Sequence, residues 1–299
     1  MNPAEPAHNQ RVGLAMALGV FLSWGLFPSY FKLLAGVPST EVLAHRIMWS
    51  AAVMILLLPL GGGVADFRRA LRDRRVVGLI GLSALLIGIN WLTYVSTIAD
   101  GHVLEASLGY FLAPLANVAL GRLVLGERLT PLQTLACLLA VGAVAALALG
   151  TDGEIWRAIV LAISFGCYGL VRKTVRVEAL PGNALECFLL VPFAAAYLVW
   201  CVGRGASHFG PAAPGISTLL ALSGVITAVP LIAFAAAARR LKLSTLGLMQ
   251  FVTPSMVFLL GAFVYGEPFG LAKLACFAAI WTALALYGRE TLRLTRAPA

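Results

Sequence analysis

Glu41, His45 and Trp49 follow one another at four-residue intervals, the spacing that puts side chains on one face of a helix, and Arg46 stands one residue round from His45. A carboxylate, an imidazole and a guanidinium inside an apolar segment are costly, so each needs a partner, a wet cavity or a task. An imidazole charges and discharges near neutrality, which makes His45 the candidate for moving a proton, with Glu105 as a second. Lys32, Asn90 and Tyr94 (the last two at i, i+4) and Glu105 fall at similar depth in their own segments. Lys32, Glu41, His45, Arg46, Asn90, Tyr94 and Glu105 are therefore expected to converge on one cavity. The competing reading is that Arg46 snorkels or pairs with Glu41 or Glu105 and merely locks helices together. For Glu41 and Lys32, close to the segment ends, that structural reading leads.

Tyr110, Pro114 and Asn117 share a second helical face (i, i+4, i+7), and 140 residues on stand Gln250, Pro254 and Val257. A proline inside a helix frees a carbonyl and loosens the turn before it. Pro114 and Pro254 are thus hinge candidates, with Tyr110 and Gln250 directing polar atoms at a ligand; ordinary kinked packing is the alternative. Pro28 and Pro230 are lesser kink candidates. With Trp24, Trp49, Trp91, Tyr94 and Phe111 nearby, such a site suits a small amphipathic organic molecule better than a bare ion.

These residues must be positioned by something, and the composition says by what. The chain has 299 residues, 60% of them hydrophobic and 12% charged, with mean hydropathy +0.91. That lies outside the range of soluble domains. Apolar runs long enough to span a bilayer occur at about 12–34, 40–60, 76–98, 103–122, 131–149, 155–171, 184–203, 215–238, 243–264 and 269–288. Short alternating segments of a membrane barrel are absent. The fold class is all-α integral membrane protein, with ten expected transmembrane helices. The first run continues past the length of a signal-peptide core and is read as a span.

With the amino terminus in the cytoplasm, all but Lys32, Arg46, Arg157, Arg204 and Lys273 of the 22 Lys and Arg fall in cytoplasmic loops or tails. This is the distribution expected of cytoplasmic segments, so both termini are expected inside. The net charge of +9 then reports topology and implies no nucleic-acid partner. The five cysteines occur singly in apolar runs and read as small buried hydrophobes.

The segment FLAPLANVALGRLVLGE from Phe111 returns as FVTPSMVFLLGAFVYGE from Phe251, and Ser23-Trp24-Gly25 returns as Ser164-Phe165-Gly166. An odd number of spans separates the copies, so the repeat is inverted. Residues 1–150 are expected to form a first five-helix repeat and 151–299 a second of opposite orientation. Inverted repeats recur in secondary transporters. Glu186 falls, within one residue, where His45 or Arg46 would recur. Glu127 and Glu267, each after Gly at a helix end, read as structural or gating residues.

At this point the chain resembles the EamA family of the drug/metabolite transporter superfamily. The resemblance rests on AHRIMWS (44–50), GINWL (88–92), LEASLGYFLAPLANVALG (104–121), GERL (126–129), YGLVRK (168–173) and LSTLGLMQ (243–250), and these are similar to its RarD-like branch. The resemblance implies a ten-helix permease of the bacterial inner membrane, with amphenicol-type drugs or metabolites as candidate substrates. Small transporters of that superfamily couple protons through a carboxylate in their first span, and here that span has none in its middle.

An enzyme is disfavoured: HExxH, GxxxxGK and CxxC are absent. Ser29–Lys32 matches SxxK without its partner motifs, and Ser207-His208 has no adjacent carboxylate in sequence. No metal or other cofactor is called for. The expected partners are a small-molecule substrate, the lipid bilayer and, through His45, protons. The expected activity is export by alternating access; the alternatives are an uncoupled facilitator, an importer or a membrane-embedded enzyme.

Overall fold

A computed structural model describes residues 4–34, 36–99, 103–149, 155–264 and 271–296. Every regular element among them is helical: α1 (Ala4–Gly25), α2 (Phe27–Lys32), α3 (Ser39–Leu60), α4 (Val64–Arg72), α5 (Arg74–Ala99), α6 (Val103–Leu123), α7 (Pro131–Leu149), α8 (Ile155–Thr174), α9 (Ala179–Gly203), α10 (Pro214–Arg240), α11 (Leu243–Met249), α12 (Val252–Leu259), a π-helical turn (Leu260–Val264) and α13 (Leu271–Arg296). In lipid a backbone must satisfy its own N–H and C=O groups, and a helix does so within one segment. Among the described residues, five helical segments are long and apolar enough to cross a membrane: 9–32, 39–60, 74–97, 179–203 and 214–240. Helix also occupies the other five apolar runs. The chain is a multi-pass, all-helical membrane protein.

Local chemistry sets several helix ends. Asp73 Oδ1 accepts from the amides of Arg75 (2.9 Å) and Val76 (3.2 Å) at the start of α5. Thr130 and Gln133 bond reciprocally, Gln133 Oε1 to Thr130 N at 3.0 Å and Thr130 Oγ1 to Gln133 N at 3.2 Å, a capping box ahead of α7. Gly126 takes φ +65° in the turn after α6, a conformation that disfavours any residue with a Cβ.

Two expected spans are broken. The first divides at Leu26, where Leu26 N bonds Ser23 O (3.1 Å) just ahead of Pro28. The ninth divides at Gln250–Phe251. Pro254 has no N–H for the Gln250 carbonyl, which accepts instead from Thr253 N at 3.1 Å in a tighter turn. By contrast α6 runs unbroken through Pro114, and α10 through Pro230. The two broken helices cross each other: Thr253 Oγ1 donates to the Phe21 carbonyl at 2.9 Å, and Gly25 lies directly against Met256.

The main packing pairs are α3 with α9 and α10, α5 with α8 and α9, α6 with α8 and α11, α1 with α10 and α12, and α7 with α13. Phe21, Trp24, Phe165, Tyr168 and Phe234 interlock where α1, α8 and α10 meet, with ring centroids 5.2–6.3 Å apart. Trp24 and Phe165 of this cluster line the cavity described next.

Candidate substrate cavity

Arg46 projects from α3 and is 4% exposed. Its Nε donates to Thr227 Oγ1 of α10 at 2.9 Å. The guanidinium lies over Trp91 of α5, 4.6 Å from the ring centroid, and beside Phe31 (5.2 Å) and Phe27 (6.0 Å) of α2. A cation over a ring face is held by the ring's quadrupole, most strongly by Trp. Among the described residues no carboxylate pairs with it, and the hydroxyl-bearing Tyr94 and Tyr110 line the same cavity.

Arg46 heads a cavity of about 50 Å³. Asn90, Tyr94, Tyr110, Thr227, Gln250 and Thr253 supply its other hydrogen-bonding groups, and Trp24, Phe27, Phe31, Trp91 and Phe165 its aromatic walls. Tyr94 and Tyr110 meet edge to face at 5.1 Å. Asn117 Nδ2 donates to Gln250 Oε1 at 2.9 Å, orienting that amide at the break between α11 and α12. Asn90 does more joining than lining: its Nδ2 donates to Leu161 O (2.9 Å) and Ser164 Oγ (3.0 Å) of α8.

Five of the residues singled out from sequence therefore meet: Arg46, Asn90, Tyr94, Tyr110 and Gln250. His45 and Trp49 lie elsewhere. His45 stacks on Phe209 (4.9 Å between centroids), its Nε2 is 4.0 Å from Glu41 Oε1, and Trp49 leans on the same Phe209 at 5.9 Å. Glu41, fully buried, accepts from His208 N at 2.8 Å and Ser207 Oγ at 3.3 Å, and pairs with His208 Nδ1 at 2.8 Å. The loop between α9 and α10 thus docks onto the Glu41 face of α3. The carboxylate that sequence adjacency did not offer to Ser207-His208 comes from Glu41, but both residues address that one carboxylate and form no nucleophile–base pair with each other. Lys32 is exposed, Phe111 packs on Phe251 (6.3 Å), and the side chains of Glu105 and Pro114 lie outside the described residues.

Sequence reasoning missed four residues. Phe27 and Phe31, at i, i+4 on either side of Pro28, carried a readable signal as an aromatic pair at a helix break. Thr253 carried none beyond its nearness to Pro254. Arg172, read as a cytoplasmic loop charge, is instead 1% exposed, with Nη1 3.4 Å from Glu186 Oε1. Ser83 Oγ donates to that carboxylate, and the Tyr168 hydroxyl approaches it at 3.5 Å. Glu127 accepts from Leu243 N (2.7 Å), Ser244 N (3.0 Å) and Ser244 Oγ (2.6 Å), fixing the turn after α6 to the start of α11. Its counterpart Glu267 lies outside the described residues.

The EamA-like transporter family matches residues 11–149. Over nearly its whole length the chain is similar to protein RarD of Salmonella typhi, 42% identical over 97% of this chain and 99% of the relative. The chain belongs to the EamA-like transporter family. It is also 33% identical to the chloramphenicol-sensitive protein RarD of Pseudomonas aeruginosa, across 95% of this chain and 96% of that one. A crystal structure of another protein, 19% identical, superposes with a TM-score of 0.74 over 97% of this chain and 100% of its own, and so shares the fold. Membership of the EamA-like family makes the chain a membrane transporter, not an enzyme.

Proposed function

We propose that this chain is a secondary transporter that exports small organic molecules by alternating access, from a site at the Arg46 cavity. In this reading ten spans form two inverted repeats, residues 1–150 and 151–299, in a bacterial inner membrane with both termini cytoplasmic. The observation that carries it is the placing of the cavity: a buried cation between elements of both halves, bordered by both broken helices. Discontinuous helices at a repeat interface are the usual setting of transporter sites.

The packing pairs support the repeat. Exchanging each span for the one five places on turns α5–α8 into α10–α1, α3–α10 into α9–α5, and α6–α8 into α12–α1. The pairs α3–α9, α6–α11 and α7–α13 map onto themselves. The family match at 11–149 ends at the expected boundary between repeats. Cysteine labelling at Arg128 and Pro268 tests the inversion, since both on one side of the membrane would end it.

We assign proton coupling to His45, whose Nε2 lies 4.0 Å from Glu41. The pair sits beside the loop that closes over α3, so a change of charge there would bear on loop docking. The deciding experiment reads lumenal pH in proteoliposomes with a trapped dye, against a panel of amphenicols, amino acids and aromatic metabolites. The relative named for chloramphenicol sensitivity puts amphenicols in that panel. Substrate-dependent proton flux lost in His45→Ala is expected. Flux of labelled substrate without any proton signal would favour the uncoupled facilitator, and no flux of any panel member would count against export.

A further inference from the structure

Among the described residues two arginines are buried, and they are partnered differently. Arg172 receives a carboxylate from Glu186. Arg46, 4% exposed, receives a threonine hydroxyl and ring faces, and it lines a cavity. Removing a guanidinium from water is expensive, and ring faces with one neutral hydrogen bond compensate it only partly. Among the described residues no carboxylate supplies Arg46 with a counter-charge.

We propose that the Arg46 cavity takes organic monoanions: a carboxylate bound by Arg46, carried on an aromatic or aliphatic body. This rests on reading the cavity as the transport site. The guanidinium is a planar fork of donors that matches a carboxylate two bonds at a time. The Tyr94 and Tyr110 hydroxyls and the Gln250 amide add neutral groups, and no Asp or Glu is among the described lining residues. A cationic ligand would meet an uncompensated positive charge there, and a neutral one would leave the guanidinium unpaired. Trp24, Phe27 and Phe165 offer flat apolar surface for the body. At about 50 Å³ the cavity is far below the roughly 300–1,000 Å³ of small-molecule sites, so the described conformation is constricted. Entry of the body requires widening, and the breaks at Leu26 and Gln250 are where the bordering helices are least continuous.

The test uses the purified full chain in detergent and the fluorescence of its tryptophans, two of which, Trp24 and Trp91, line the cavity. The probes are 3-phenylpropionate, its neutral amide 3-phenylpropanamide, and 3-phenylpropylammonium. The acid is expected to bind at least about tenfold tighter than the amide, with the cation weakest. Arg46→Gln should bring acid and amide within about twofold, and Arg46→Lys should keep a reduced preference of about threefold. Amide or ammonium binding as tightly as the acid to the unmodified protein overturns the proposal. So does an acid preference that survives Arg46→Gln, or no saturable acid binding up to about 10 mM, a free energy of only a few kcal/mol. The comparison of acid with amide needs no variant, so misfolding of a mutant does not remove the test. Acid-selective binding without acid flux in proteoliposomes would uphold the ligand class and count against transport. Amide flux without acid flux would do the reverse.

Discussion

Gly25 and Met256 meet so closely that a Cβ added at residue 25 would stand 2.4 Å from Met256 Cβ and 3.0 Å from its Cγ. They are the crossing point of the two broken helices, and the cavity lies beside them. Gly25→Ala must push α1 and α12 apart, at an expected cost of about 1–3 kcal/mol for overpacking. We expect a lowered Tm in detergent and a fall in transport of about tenfold, with Met256→Gly, which removes the clashing Cβ that an alanine would keep, restoring part of both in the double variant. Additive losses in a double-mutant cycle would show that the contact does not matter.

The Arg172–Glu186 pair predicts a different outcome. Breaking a buried ion pair strands the surviving charge, so Glu186→Gln should destabilise by about 3–5 kcal/mol, and replacing both residues by Leu should cost less than that single change. Thermal unfolding of the two variants beside the unmodified protein checks the order. The Arg172 Nε and both Asn183 side-chain polar atoms have no hydrogen-bond partner among the described residues, which adds to the dependence on Glu186.

Glu127 accepts three hydrogen bonds at the start of α11. Glu127→Ala should cost about 1–2 kcal/mol, near the upper end for loss of a helix-terminal acceptor. Glu127→Gln, with one acceptor oxygen, should fall between. Chemical denaturation with a common slope for all three proteins measures this.

An exported monoanion moves negative charge outward, and any proton moving inward adds charge of the same sense. A potential of about 100 mV, inside negative, acts on each transferred charge with about 2.3 kcal/mol. Efflux of loaded acid from proteoliposomes should therefore quicken when potassium and valinomycin set that potential. An unchanged rate would mean electroneutral movement.

Much of the site was legible because buried polar groups are rare in apolar runs. Arg46, Asn90, Tyr94, Tyr110 and Gln250 could be picked out on that ground alone, and the structure joins them. His45 and Trp49 were grouped with them by depth, but depth says nothing of direction. Consecutive residues on an α-helix point about 100° apart, so His45 follows Glu41 and Trp49 toward Phe209 while Arg46 turns toward α2, α5 and α10. Repeat pairing favoured Pro114 and Pro254, whereas the breaks fall ahead of Pro28 and Pro254; Pro28, with no proline counterpart in the second half, ranked only as a lesser kink candidate. Arg172 was misread because a cation at a helix end usually reports a loop. Here the short 175–178 connection folds α9 back over it, and Gly182 makes room: a Cβ there would lie 2.4 Å from Arg172 Nη1.

The central claim is that the cavity headed by Arg46 is exposed in turn to both sides of the membrane. Val257 lines that cavity. The most direct measurement places a single cysteine at residue 257, in a chain whose five native cysteines are replaced, and follows labelling by a membrane-impermeant maleimide in right-side-out and inside-out vesicles. Alternating access predicts labelling from both sides, slowed by 3-phenylpropionate. Labelling from one side only, or from neither, would contradict it.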